Sequence, residues 1–141
     1  MRRTTLALGL VAAAALAWPY AQAAVVAYKS TLNGASEVPP VQTRGTGAAT
    51  VNADTATKQV SWNITYTGLS GPATAAHIHC GAAPGANAGV GVNFGTNLAS
   101  PITGSGQMTD AQFADLQAGK CYVNIHTEAN KGGEIRGQLM P

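Results

Sequence analysis

The chain has 141 residues and a hydrophobic content of 45%, which is enough for one domain with a core and too little for two domains of ordinary size. Eight basic residues oppose six acidic ones, and removal of the predicted leader, which contains Arg2 and Arg3, leaves the two signs equal. No cluster of Lys or Arg then remains to neutralise a row of phosphates, so we expect no nucleic-acid partner.

The N-terminus has the pattern of an export signal. The Arg2-Arg3 pair is followed by an apolar run, Leu6 to Ala17, and by an A-x-A cleavage motif, Ala21-Gln22-Ala23. The run is shorter than the roughly 20 residues that a membrane span needs. We therefore predict a cleaved signal peptide at 1–23. It would direct export by the general secretory route, or by the twin-arginine route if the arginine pair is a twin-arginine signal. The mature domain, 24–141, is expected in the periplasm or outside the cell, with no membrane span.

Short alternating segments separated by Gly and Pro predict an all-β domain. In one of them Val60, Trp62 and Ile64 alternate with polar residues, which indicates one buried and one wet face. Between strands, Glu37 to Val41 contains two prolines that cannot donate to a ladder, and Gly81 to Gly91 has the composition of a loop. The predicted strands run over residues 25–32, 46–52, 59–66, 75–80, 90–94, 102–108, 121–127 and 134–139.

One helix interrupts this pattern. Thr109 and Gln112 have the spacing of a capping box, and Gly119 provides a C-terminal stop. We expect Phe113 and Leu116 on this short helix to close an open end of the fold. Seven or eight short strands with a single helix are typical of an antiparallel sandwich or Greek-key barrel.

Every histidine and cysteine of the chain lies in two of the predicted strands. Because successive strand residues point to opposite faces, Cys80 and Cys121 fall on the aliphatic faces, whereas His77, His79 and His126 fall on the opposite ones. Two cysteines in an exported chain favour a disulfide. We predict a Cys80–Cys121 bridge with Cα atoms within roughly 4.4–6.8 Å.

The three histidines have two interpretations. They could supply three nitrogen ligands to a copper or zinc ion, with the ring nitrogens each about 2.0–2.1 Å from it. Alternatively, they are structural histidines that hydrogen-bond to nearby loops. Glu128 is the nearest candidate in the sequence for a carboxylate that orients a ligand.

Three other charged residues, Glu37, Glu134 and Arg136, are candidates for a recognition site or an ion pair. Glu134 and Arg136 share a strand face, so they could pair with each other, or Arg136 could pair with Glu37. No G-x-S-x-G elbow is present and no Asp stands beside a histidine in the sequence. We therefore predict no catalytic residue and do not expect an enzyme.

Five ordered blocks of the sequence cover residues 32–41, 68–69, 76–81, 119–127 and 132–139. Together they resemble the chordin-type domain, the CHRD family, along nearly the whole mature chain. That resemblance implies an immunoglobulin-like β-barrel, found as repeats in the extracellular protein chordin and as single exported domains in bacteria. It implies a fold and a compartment, and little chemistry.

A weaker resemblance is to the Cu/Zn superoxide dismutases, whose barrel carries an H-x-H strand and a distant histidine as copper ligands. The matching positions are His77, His79 and His126, but the chain has only these three histidines and lacks the residues of a zinc site. The expected function is a non-enzymatic binding or structural role toward an exported protein partner. The alternative is a periplasmic copper- or zinc-binding protein, with dismutase-like chemistry as a remote extension.

Overall fold

The computed structural model describes residues 23–141. Residues 1–22, which make up nearly all of the predicted signal peptide, lie outside this range. The described strands follow the predicted ones, with ends that differ by one or two residues. They are β1 Val25–Asn33, β2 Thr46–Asp54, β3 Gln59–Thr67, β4 Ala73–Cys80, β5 Val90–Asn93, β6 Ile102–Gln107, β7 Cys121–Thr127 and β8 Ile135–Gln138.

The strands form one sheet in the order β5-β4-β7-β8-β1-β2-β3-β6, and neighbouring strands pair antiparallel. The sheet curls into a nearly closed barrel, and its edge strands β5 and β6 are consecutive in the chain. This confirms the predicted all-β fold. The order also makes β4 and β7, which carry the histidines, direct neighbours.

The core is built from the alternating faces that the sequence predicts. Val60, Trp62 and Ile64 on β3 are buried, while the residues between them are exposed. The Trp62 ring packs on Phe94, with ring centroids 4.7 Å apart. A Cβ at Gly104 on β6 would lie 2.6 Å from the Trp62 ring, so a glycine is required there for the indole to fit.

The helix α1 spans Asp110–Gln117 and has the predicted capping box between Thr109 and Gln112. Its Phe113 and Leu116 are buried in the barrel core, and Gly119 follows with a φ of 70°, a conformation that favours glycine. The helix packs against β4 and β7 and so leads the chain into the second histidine strand. Across residues 23–141 no helix has the length and apolar character to cross a membrane.

Candidate metal centre

The register between β4 and β7 brings the three histidines to one face of the sheet. His126 lies opposite Ala75, two residues before His77, so the two imidazoles are diagonal cross-strand neighbours. His79 lies two residues further along β4, on the same face. Diagonal neighbours in an antiparallel pair are within reach of long side chains, and the three rings therefore meet.

The opposite face of the same strand pair carries the disulfide. Cys80 and Cys121 are direct partners in the register and are bonded to each other. Their Cα atoms are 4.1 Å apart, slightly closer than the predicted range. They occupy one directly opposed cross-strand pair, a position at which Cα atoms are only about 4.5–5.5 Å apart in antiparallel sheets, and this pair is slightly closer still.

The ring nitrogens of the three histidines converge. Their candidate ligand atoms all lie within 4.8 Å of one another, and His77 Nδ1 is 3.3 Å from His126 Nε2. Two ligands of a tetrahedral ion are about 3.4 Å apart when each bond is about 2.0–2.1 Å. The His77–His126 pair thus already has the spacing of two ligands, and a modest rotation of side chains brings the third nitrogen into range.

His79 is held with one nitrogen free. Its Nδ1 is 2.9 Å from the carbonyl oxygen of Ala88, and since a carbonyl only accepts, Nδ1 carries the proton. The lone pair is therefore on Nε2. That atom is buried and has no hydrogen-bond partner among residues 23–141, although buried polar atoms nearly always have one.

His126 is held in the same way. Its Nδ1 lies 2.9 Å from the carbonyl oxygen of Lys131 and so donates, which leaves the lone pair of Nε2 directed at His77 Nδ1. Metal-binding histidines commonly donate their second N–H to a carbonyl or carboxylate, which fixes the ring and its tautomer. Here two backbone carbonyls provide this orientation.

Glu128, which the sequence suggested as an orienting carboxylate, does not have that role. Its carboxylate lies 2.8 Å from the ammonium of Lys131, and both side chains are exposed. The short reach between residues three apart in a turn favours this pair over a contact with a histidine.

The electrostatics of the cluster favour neutral imidazoles. Burial, together with the neighbouring His126 and His79, lowers the pKa of His77 to about 4. Burial also lowers the pKa of His79, against the opposing effect of its bond to Ala88. Neutral imidazole is the form that binds a metal, so at pH 7 neither ring has a positive charge that would have to be removed before an ion could bind.

Tyr122 supports His79 from the neighbouring strand. The two rings stack with centroids 4.8 Å apart and planes inclined by 5°, and the Tyr122 hydroxyl accepts a hydrogen bond of 3.1 Å from the amide of Ala88. The guanidinium carbon of Arg136 lies 3.4 Å from the centroid of the same tyrosine ring, a cation–π contact. Sequence reasoning missed Tyr122, although it shares the predicted face of His126, and it assigned Arg136 to an ion pair or a recognition site rather than to this stack.

Arg136 and Glu134 do not form the ion pair that their spacing suggested. Arg136 donates to Asn87 Oδ1 at 2.9 Å and to the Ala86 carbonyl at 2.6 Å. The salt bridges of residues 23–141 include no pair of Arg136 with Glu134 or with Glu37. Arg136 and Glu134 are 2% and 0% exposed, and each has its hydrogen bonds with different segments of the chain, Arg136 with the loop after β4 and Glu134 with several others.

Glu134 is the centre of a hydrogen-bond network among those loops. Burial raises its pKa, but hydrogen bonds from Ser70, Thr127 and Thr43 outweigh this effect and lower the pKa from 4.5 to about 2. A carboxylate with so many donors is held in its charged form. Glu134 therefore links several segments of the barrel, and the lone pairs of its carboxylate already accept hydrogen bonds from them.

Glu37 is buried on the same side of the barrel but has the opposite tendency. It accepts a hydrogen bond of 2.5 Å from Asn124 Nδ2. Burial raises the pKa of Glu37 from 4.5 to about 7, more than the Asn124 bond and the charge of Arg136 lower it. Glu37 thus contacts Asn124, the cross-strand partner of His77, rather than a histidine.

A model of one protein family, described as the CHRD domain, matches residues 28–139. The match includes both histidine strands and both cysteines. No curated protein and no solved structure matches the chain, so the weaker resemblance to the Cu/Zn superoxide dismutases has no comparable support.

Proposed function

Since the chain belongs to the CHRD domain family, we propose that it acts as an exported, non-enzymatic binding domain whose ligand is a copper or zinc ion held by His77, His79 and His126. Export is supported by the leader pattern of the sequence and by the Cys80–Cys121 disulfide, a bond that persists in oxidising compartments.

The observation that carries the metal proposal is the free Nε2 of His79. Within the described part of the chain this buried atom has no hydrogen-bond partner, and it lies beside the His77–His126 pair, whose nitrogens have ligand spacing. A purely structural histidine would be expected to use both nitrogens when buried. A bound ion would satisfy Nε2 of His79 and Nε2 of His126 together, and Nδ1 of His77 would join them once its proton leaves or moves to Nε2.

The donor set suits borderline metals. Imidazole nitrogen is a preferred ligand of zinc and copper, whereas magnesium and calcium require oxygen. Copper(II) exceeds zinc in affinity for a given nitrogen site in the divalent series. We therefore expect both ions to bind, copper(II) the more tightly.

Isothermal titration calorimetry of metal-free protein tests the proposal. Zinc should bind at one equivalent with a dissociation constant far below millimolar, and His79→Ala should abolish this binding. Asn63→Ala is the matched control, because Asn63 lies on the exposed face of β3. Since copper(II) also binds unfolded chains and termini, zinc is the better first probe.

Two results would retire the metal function. One is zinc binding no tighter than millimolar, and the other is equal affinity in the wild type and in His79→Ala. In either case the histidines would have the structural role, in which His79 and His126 fasten the segments containing Ala88 and Lys131.

A further inference from the structure

Resting on the proposed metal site, we infer that the fourth coordination position takes a small exogenous anion, such as azide or a carboxylate, rather than a side chain of this protein. Three features of the residues around the histidines support this fourth ligand: the size of the protein ligand set, the contacts of the nearby acids and the local charge.

The first observation is the size of the ligand set. Among residues 23–141 the cluster able to hold an ion consists of His77, His79 and His126, with no cysteine or carboxylate. A site with three protein ligands leaves one position of a four-coordinate ion for an outside molecule.

The second observation is the engagement of the nearby acids. Glu128 pairs with Lys131 at the surface, and Glu37 accepts from Asn124. Glu134 accepts from hydroxyl and amide donors. None of the three is free to complete the coordination sphere without breaking these contacts.

The third observation is charge. Three neutral imidazoles leave the full charge of a divalent ion uncompensated, unlike a site that includes a carboxylate. The guanidinium of Arg136, which is buried, adds a second positive charge near the site. It lies there because it packs on Tyr122, which in turn stacks on His79. Arg136 itself has no salt bridge within the described chain, and attraction between charges is strong where water is excluded. An anion is therefore favoured over a neutral ligand.

Access is consistent with a small ligand. His79 is 8% exposed, whereas His77 and His126 are only partly buried. A small ligand such as azide or a single carboxylate would therefore approach from the side of His77 and His126.

Cobalt(II) substitution provides the test, because its visible absorption reports coordination number and ligand exchange. The cobalt(II)-loaded protein should show the intense visible bands of a four-coordinate ion, and titration with sodium azide should shift them to saturation at one site. Arg136→Gln should bind azide several-fold more weakly, whereas Arg136→Lys, which retains the charge, should lie closer to the wild type.

The possible results distinguish a failure of the anion position from a failure of the metal site itself. Cobalt bands that do not respond to azide would overturn the anion position and leave the metal site intact. Failure of cobalt(II) and zinc to bind at all would overturn both. A saturable azide shift in the wild type supports the inference even if Arg136→Gln fails to fold.

Discussion

The buried carboxylate of Glu134 gives the sharpest test of the fold. We predict that Glu134→Gln destabilises the domain at pH 7, because the new amide group places N–H donors where the carboxylate oxygens accept. The hydrogen bonds it accepts come from Thr43 Oγ1 at 2.6 Å, Ser70 N at 2.8 Å, Ser70 Oγ at 2.6 Å, Thr127 Oγ1 at 2.6 Å and Asn130 Nδ2 at 3.2 Å.

The size of the effect follows from the pKa. A fall in the pKa of Glu134 from 4.5 to about 2 on folding corresponds to about 3 kcal/mol of stability. Individual hydrogen bonds to a charged group contribute about 1.5–3 kcal/mol each and are not additive, so a total of about 3 kcal/mol implies that burial of the carboxylate cancels much of their sum. We expect Glu134→Gln to lower the free energy of unfolding by about that amount.

The pH dependence has a definite sign. Because the folded-state pKa is below the unfolded value, the contribution of Glu134 is fully present above pH 4.5 and is lost as the pH falls toward about 2. Urea unfolding followed by fluorescence should therefore show a large difference between wild type and Glu134→Gln at pH 7 that narrows below pH 4.5.

The matched control is Glu128→Gln, which removes an exposed salt bridge to Lys131 and should cost less than about 1 kcal/mol. If the two variants were equally stable at pH 7, or if the deficit of Glu134→Gln did not change with pH, the buried network would not have the strength assigned to it.

Three further predictions concern other parts of the chain. Glu37→Gln should stabilise the domain above pH 7 by up to about 3 kcal/mol and have little effect below pH 4.5. The reason is that the pKa of Glu37 is raised in the folded state, so the native state loses stability as the pH rises through about 7. Urea unfolding at pH 5 and pH 8.5 measures this difference, and equal effects of the substitution at both pH values would contradict it. Reduction of Cys80–Cys121 should cost about 2–5 kcal/mol, seen as a lower melting temperature with dithiothreitol, and an unchanged melting temperature would count against it. Mass spectrometry of exported protein should place the N-terminus at Ala24, and intact Met1 in exported material would refute cleavage.

The local parts of the fold could be predicted because their signals are local. The alternation of Val60, Trp62 and Ile64 determines which face of β3 is buried, and the spacing of Thr109 and Gln112 marks where α1 begins. The adjacency of β4 and β7 could not be derived this way, since it depends on a sheet order that period-two patterns do not contain.

The burial of the charged residues also could not be predicted from the sequence. Arg136 and Glu134 alternate with apolar neighbours, which is the pattern of a solvated strand face, yet both are buried. The cause is the connecting segments that fold over this face. Asn87, in the loop after β4, accepts a hydrogen bond from Arg136, and Thr43 and Ser70, from two other loops, donate to Glu134. Period-two alternation reports which residues share a face, and it cannot report whether a loop later covers that face.

The positions of loops also explain why the orientation of the histidines could not be predicted from the sequence. A search for an orienting partner looks for a side chain, usually a carboxylate, and in this chain it pointed to Glu128. The groups that fix His79 and His126 are main-chain carbonyls of Ala88 and Lys131, which every residue type provides. Their position depends on the paths of the loops that follow β4 and β7, so substitutions at Ala88 or Lys131 that keep the backbone should leave zinc affinity unchanged, whereas a deletion that shortens either loop should weaken it by about 10–100-fold.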